Sequence, residues 1–165
     1  FKFWHKRFVE IAKLAAENSE VLLRSEPEIA GRAVIEKRNI CARADRVWDS
    51  GVLDIKTGAA PSKSQLQEGN MPQLPLEAYM LQCGGFQGLG QTEAPTMYFL
   101  QLQSGHVELK PFDVERTQTF INAAIAKTRE LYNMFIVGGA PYEYRQTGDE
   151  KYKDCDDFAR AAERD

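Results

Sequence analysis

A chain of 165 residues has the length of one domain, and with 43% of them hydrophobic it can bury an ordinary core. The net charge of −3 excludes a strongly basic nucleic-acid-coating protein, and no apolar run reaches the roughly eighteen residues of a membrane span.

Trp4, Phe8, Ile11, Leu14 and Ala15 recur at helical spacing and predict a helix over 3–22, with Glu10 and Glu17 riding on it. Strands are expected at 33–38, at 40–48 and at 51–57. In the second of these Ile40, Ala42 and Ala44 alternate with Cys41, Arg43 and Asp45. Asp49-Ser50-Gly51 is the turn between the last two. Ser62 or Ser64 caps a short helix after Pro61. Pro72 sits at a first-turn position, and 73–81 continue as a helix carrying Leu74, Leu76, Met80 and Leu81, stopped by Gly84-Gly85. A β-rich run over 95–102 pairs back with 106–110 across Ser104-Gly105. Asp113 caps a long helix with Val114, Ile121, Ala124, Ile125, Thr128, Leu131, Tyr132 and Phe135 on one face, ending at Gly138-Gly139. The acidic tail, 143–165, is read as part of the same domain as 1–142, with a short helix near Asp156–Glu163. Helix, three strands, helices, two strands and helix make an α/β chain with a mixed sheet between helices.

The residues that carry chemistry lie at the 49–51 turn. A hairpin there sets Asp45 and Asp54 close to opposite each other, and carboxylates so placed repel unless a cation lies between them or one is protonated. Lys56, two residues on, points to the same face as Asp54. Two acids and a lysine on one face suit Mg²⁺ or Mn²⁺ held against a phosphate. Charge is unevenly spread: residues 143–165 hold eight acids and five bases, so 1–142 are neutral. Arg24, Arg32, Lys37, Arg38, Arg43 and Arg46 make only a mildly basic stretch, so phosphate contacts are expected to come from elsewhere in a parent chain or from a partner. The start on Phe1 reads as a segment cut from a longer chain. Three scattered cysteines suggest a reducing compartment with free, buried thiols, and a cytoplasmic location is expected. His5 and His106 lack the companions of a zinc site.

Ala44-Asp45-Arg46, Asp54-Ile55-Lys56-Thr57-Gly58 and Pro72-Gln73-Leu74-Pro75-Leu76 together resemble the RecB-like branch of the PD-(D/E)XK nucleases, and within it the AddB-type C-terminal nuclease domains. The resemblance runs from about Ile40 to Phe86, and Asp156–Glu163 is similar to the ending of AddB-type chains. It implies a restriction-endonuclease-like core and a Mg²⁺-dependent deoxyribonuclease, an exonuclease by expectation, that processes double-strand DNA ends in recombinational repair. The implied partners are DNA and an AddA-like helicase–nuclease subunit, with no membrane. Asp45, Asp54 and the Ile55 carbonyl would hold the metal, Lys56 would orient the nucleophile or contact the phosphate, and Gln73 would complete the site. Thr57 and Lys63 are candidate phosphate contacts, Glu77 is a candidate acid behind the ligands, and Glu10 or Glu17 is a candidate additional ligand. The chain departs from the pattern in three places. Ala44 precedes Asp45 where the superfamily has Pro. The motif tyrosine is Glu77, and the nearest tyrosine, Tyr79, lies about 200° further round the helix. The clustered cysteines of an iron–sulfur site are missing, so no such cluster is expected. Two other readings of the same residues stay open: a nuclease-like scaffold that binds DNA or a partner subunit without cutting, and an interaction domain whose charges are ion pairs.

Overall fold

The computed structural model describes residues 2–22, 24–103 and 106–141. The helix near Asp156–Glu163 and Cys155 lie outside the described residues. Backbone contacts divide the chain into two units, Phe1–Glu130 and Leu131–Asp165, and the first holds the sheet.

That sheet has five strands in the order β1 (Glu26–Ile35), β2 (Arg38–Trp48), β3 (Gly51–Lys56), β4 (Thr96–Gln103) and β5 (His106–Phe112). Neighbours are antiparallel except β3 and β4, which are parallel. A parallel pair needs a crossover, and here it holds α3 (Lys63–Gln67) and α4 (Gln73–Gln82). The result is the expected α/β fold, a mixed sheet flanked by helices, and it is compatible with a restriction-endonuclease-like core.

Each face of the sheet closes its own core. On one, Val52, Met97 and Phe99 pack with Leu74, Ala78 and Leu81 of α4 and with Phe120 and Ile121 of α5 (Val114–Tyr132). On the other, Leu53 and Leu100 pack with Leu22 of α2 (Ser19–Leu22) and Leu14 of α1 (Lys2–Glu17). Alternation along β3 and β4 sends successive side chains to opposite cores. Among the described residues no helix is long and apolar enough to cross a membrane.

Several elements differ from the sequence reading. The expected helix over 3–22 breaks at Asn18, whose backbone N–H (2.9 Å) and side-chain amide (3.0 Å) both donate to the Leu14 carbonyl. The strand expected at 33–38 is β1, which starts at Glu26 and ends at Ile35. Glu36 and Lys37, with φ of 49° and 62°, form the turn, and Ile35 pairs with Arg38. Two left-handed residues between paired strands make a type I′ turn, which usually advertises itself as Asn-Gly. Here neither residue gives that signal, and Arg129 forms an exposed ion pair with Glu36 at 2.7 Å. Pro72 is the cap residue of α4 rather than part of its first turn; the first-turn proline is Pro75, whose missing N–H would have had no helical partner anyway.

Ser62 is the cap of α3, and with Gln65 it forms a reciprocal capping box. Asp113 caps α5 by accepting from the Arg116 N–H at 2.9 Å. Val114 and Leu131, expected on the inner face of α5, are exposed, while Phe120 fills the core. After Tyr132 the chain widens into a π-helical turn, Asn133–Val137, before Gly138. Cys41 and Cys83 are free but exposed rather than buried, because Cys41 lies on the outward side of the β2 alternation and Cys83 ends α4.

Lys37→Gly should stabilise the protein by about 0.5–1 kcal/mol, since glycine adopts a positive φ without the side-chain penalty. Denaturant unfolding at constant m checks this, and an unchanged midpoint would mean that the corner carries no strain.

Candidate active site

The site forms where β2 and β3 part. Their ladder runs through Trp48–Gly51, Val47–Val52 and Arg46–Leu53, so Asp45 and Asp54 occupy the next position, across from each other as the turn predicts. The backbone ladder stops there. The Asp45 Oδ2 accepts the Ile55 N–H at 2.8 Å, so a side chain takes the place of a strand partner. The parting has a visible cause. Ile40, Ala42, Ala44 and then Val47 all face the α4-side core, so the β2 alternation slips by one between Ala44 and Val47. On β1, Glu28 has a φ of 55° and drops out of the ladder between Pro27–Arg46 and Ile29–Ala44. The β1–β2 register is the same on either side, with Glu28 and Asp45 dropping out together, so this is a local distortion of both strands that re-aims a side chain without shifting one strand against the other.

From this point a single chain of polar contacts runs from the sheet to α4. Asp54 is only 2% exposed, and Lys56 lies over it, with Nζ 3.1 Å from Oδ1 and 2.9 Å from Oδ2. The contact to Oδ2 is ionic and lies off the hydrogen-bond axis, leaving that oxygen without an aligned donor. Lys56 Nζ also donates to the Gln73 Oε1 at 3.4 Å. The Gln73 Nε2 donates to the Glu77 Oε1 at 3.3 Å, the two residues being one turn apart on α4. Glu77 is 1% exposed, and its Oε2 is buried without a partner. The ammonium on one side and the carboxyl on the other fix which way the Gln73 amide points.

Burial raises the Asp54 carboxyl above its ordinary range, and the Asp45 charge adds to this while Lys56 opposes it. Burial pushes Glu77 up to about 8, against the Gln73 hydrogen bond and with the charges of Asp54 and Asp45 adding to the rise. At neutral pH, therefore, Glu77 holds a proton. A cleft of about 70 Å³, room for a few waters, opens beside the Asp54–Lys56 pair between Pro61, Met71, Pro72 and Gln73, with Leu74 and Phe99 beneath.

Asp45, Asp54, Lys56, Gln73 and Glu77 are thus brought into one electrostatic cluster. Ile55 supplies the peptide between the two motif charges, and its side chain is exposed. Thr57 and Lys63 are exposed beyond the end of β3, and neither lines the cleft. The groups acting on Asp54 and Glu77 are Asp45, Lys56, Gln73 and each other, not Glu10 or Glu17. The Tyr79 hydroxyl donates to the Val34 carbonyl on β1 at 3.2 Å, so it does not stand in for the missing motif tyrosine. Glu77 at that position is a buried member of the cluster.

One residue escaped the sequence reading: Gln101, 4% exposed, which pairs with Lys56 across β3–β4 and donates to the Gly58 carbonyl at 3.1 Å. Its signal was there, an amide continuing the inward alternation of Met97 and Phe99. Among the described residues no three His, Cys, Asp or Glu side chains gather at metal-binding distance.

No protein-family model matches the chain, and no curated protein does. Among solved structures it is similar to the crystal structure of SSO0001, at 16% identity and a TM-score of 0.39 over 76% of this chain. The chain spans 57% of that neighbour's length.

Glu77 titrates near 4.5 when unfolded and about 8 when folded. Its neutral form therefore contributes stability that is complete below the lower value and lost as pH rises through the upper one. Metal-free protein should lose a few kcal/mol between about pH 5 and pH 8.5. Glu77→Gln should flatten that decline and raise the melting temperature at the alkaline end. Melting curves across the range check this, and parallel profiles for wild type and variant would show that Glu77 is not the group responsible.

Proposed function

We propose that this domain is a Mg²⁺- or Mn²⁺-dependent deoxyribonuclease of the AddB type, which cuts DNA ends as part of a cytoplasmic helicase–nuclease assembly. One observation carries the reading: at the parting of β2 and β3 two carboxylates come together with a lysine between one of them and a helix glutamine. The donor set fits a hard divalent cation. Asp54 Oδ2 is buried without an aligned donor, and Asp45 and Asp54 repel each other. Mg²⁺ commonly keeps several waters and uses only one or two carboxylates plus substrate phosphate, so a closed cage of protein ligands is not required. Asp45, Asp54 and the Ile55 carbonyl are the assigned ligands.

When bound, the ion would lower the pKa of a coordinated water and offset charge on the scissile phosphate. The chain's own residues do the positioning. The Lys56 ammonium, held between Asp54 and Gln73, is 28% exposed and so within reach of an incoming phosphate, whose developing charge it would stabilise. Gln73 limits that movement, and Glu77 holds Gln73. The apolar floor of Leu74 and Phe99 keeps water away from the back of the site. Thr57 and Lys63, exposed beyond β3, remain the candidates for contacts further along the DNA backbone. With residues 1–142 neutral overall, most DNA affinity would come from outside this domain, from the rest of a parent chain or an AddA-like subunit.

A second reading, a silent nuclease-like scaffold, draws on the partners that the acids already have. Lys56 lies on Asp54, and Ile55 donates to Asp45, so the charges are met in part without a cation.

Metal binding separates the two readings. Millimolar Mn²⁺ should stabilise the wild type, by about 2.7 kcal/mol at a hundredfold excess over the dissociation constant, and should leave Asp45→Ala/Asp54→Asn unmoved. A wild-type melt indifferent to Mn²⁺ would favour the scaffold.

Cleavage is the direct test. Asp45→Ala, Asp54→Asn and Lys56→Ala should each abolish cutting of an end-labelled duplex by this domain, while DNA binding by the full assembly persists. The double aspartate change should be little worse than either alone, because both residues act on one transition state. Wild-type cutting by the Asp54 and Lys56 variants would sink the nuclease reading.

A further inference from the structure

Outside the acidic cluster, the buried polar side chains among the described residues are Ser25, Gln101 and Thr117. Ser25 and Thr117 bond to carbonyls three and five residues away. Gln101 instead holds the segment that leads out of the motif strand.

A buried amide costs free energy unless its donors and acceptor are met, whereas leucine or methionine would fill the same place without that demand. Gln101 follows Met97 and Phe99 on the inward face of β4 and lies beside Lys56 in the ladder. Its Nε2 donates to the Gly58 carbonyl, at the first bend after β3. From Gly58 the chain runs to Pro61, which walls the cleft, and to Ser62, which caps α3. Space around Gly58 is open: nothing lies within 4 Å of where its Cβ would stand. Ala60, two residues on, packs against the core, and at the Gly58 peptide itself the bond from Gln101 is what ties the loop to the sheet.

We infer that Gln101 is a positioning residue, which fixes the exit of the chain from β3 and so keeps the Lys56 ammonium and the Pro61 wall in register with the Asp54 carboxylate. Its consequence for cleavage rests on the nuclease reading above. A loop released at Gly58 would let Lys56, two residues earlier, wander from the reacting phosphate, and a misplacement of about 1 Å costs up to a hundredfold in rate.

The test uses the full-length chain, with any subunit that copurifies, a 5′-labelled single-stranded oligonucleotide and Mg²⁺. Gln101→Met keeps the length and burial but removes the donor. Gln101→Leu also removes the donor, in a smaller apolar side chain that the buried site accepts, and it decides the matter if the methionine variant does not fold. Either folded variant should lower kcat by about tenfold to a hundredfold with KM nearly unchanged. Amide exchange should speed up over residues 56–60 and stay as in the wild type along α4. A kcat equal to wild type, in an assay where Asp54→Asn is inactive, overturns the inference and leaves the nuclease reading standing. If Asp54→Asn itself cuts normally, the nuclease reading falls, and exchange over residues 56–60 alone decides whether Gln101 holds the loop: unchanged exchange overturns that too.

Discussion

The site is organised around a carboxylate buried on the central strand. Asp54 has almost no access to water, and a charge in that position is tolerated only with a partner and hydrogen bonds. Lys56 is that partner, and its position is dictated by strand geometry: two residues along β3, on the same face. Removing one member of such a pair typically costs about 3–5 kcal/mol, because the other charge is left stranded. The pair therefore constrains whatever packs above it. The helix over this face has to offer polar side chains at one spot and leucines elsewhere, and α4 does so. Gln73 and Glu77 line one edge, while Leu74, Ala78 and Leu81 fill the core.

The same requirement explains why an irregularity is tolerated in the middle of β2. A regular ladder through Asp45 would have tied up the Ile55 N–H with backbone and kept β2 and β3 together. Slipping the alternation after Ala44 frees that N–H for the Asp45 carboxylate and brings a second acid toward Asp54. The arrangement gives up ladder bonds and accepts like-charge repulsion, which an ordinary structural sheet would avoid. Glu77 adds to the tension, since a buried acid with an unpartnered oxygen settles it only by keeping its proton. Local conflict of this kind, set in an otherwise well-packed sheet, is common where a protein has chemistry to perform.

Electrostatics outside the cluster is quiet. Ion pairs such as Arg43–Glu28 and Lys110–Glu108 are exposed and contribute little to stability. Residues 1–142 carry as many acids as bases.

The sequence by itself determined the order of elements, the hairpin at Asp49-Ser50-Gly51 and the pairing of Asp45 with Asp54. Turn chemistry and the two-residue period of a strand are local, and both can be read without knowing what packs where. The Ser62 and Asp113 caps were legible for the same reason. The Glu36-Lys37 turn was not, because its residues carry no turn signal. Nor was the burial of Glu77, which depends on how α4 lies across β1–β4, or the slip of alternation in β2 opposite Glu28, which depends on a neighbouring strand. Gln101 lies some forty residues from Gly58, and only the parallel pairing of β3 with β4 brings them together. Composition and periodicity report which face a side chain takes. Which long-range partner meets it there is decided by the packing of helices and strands onto one another.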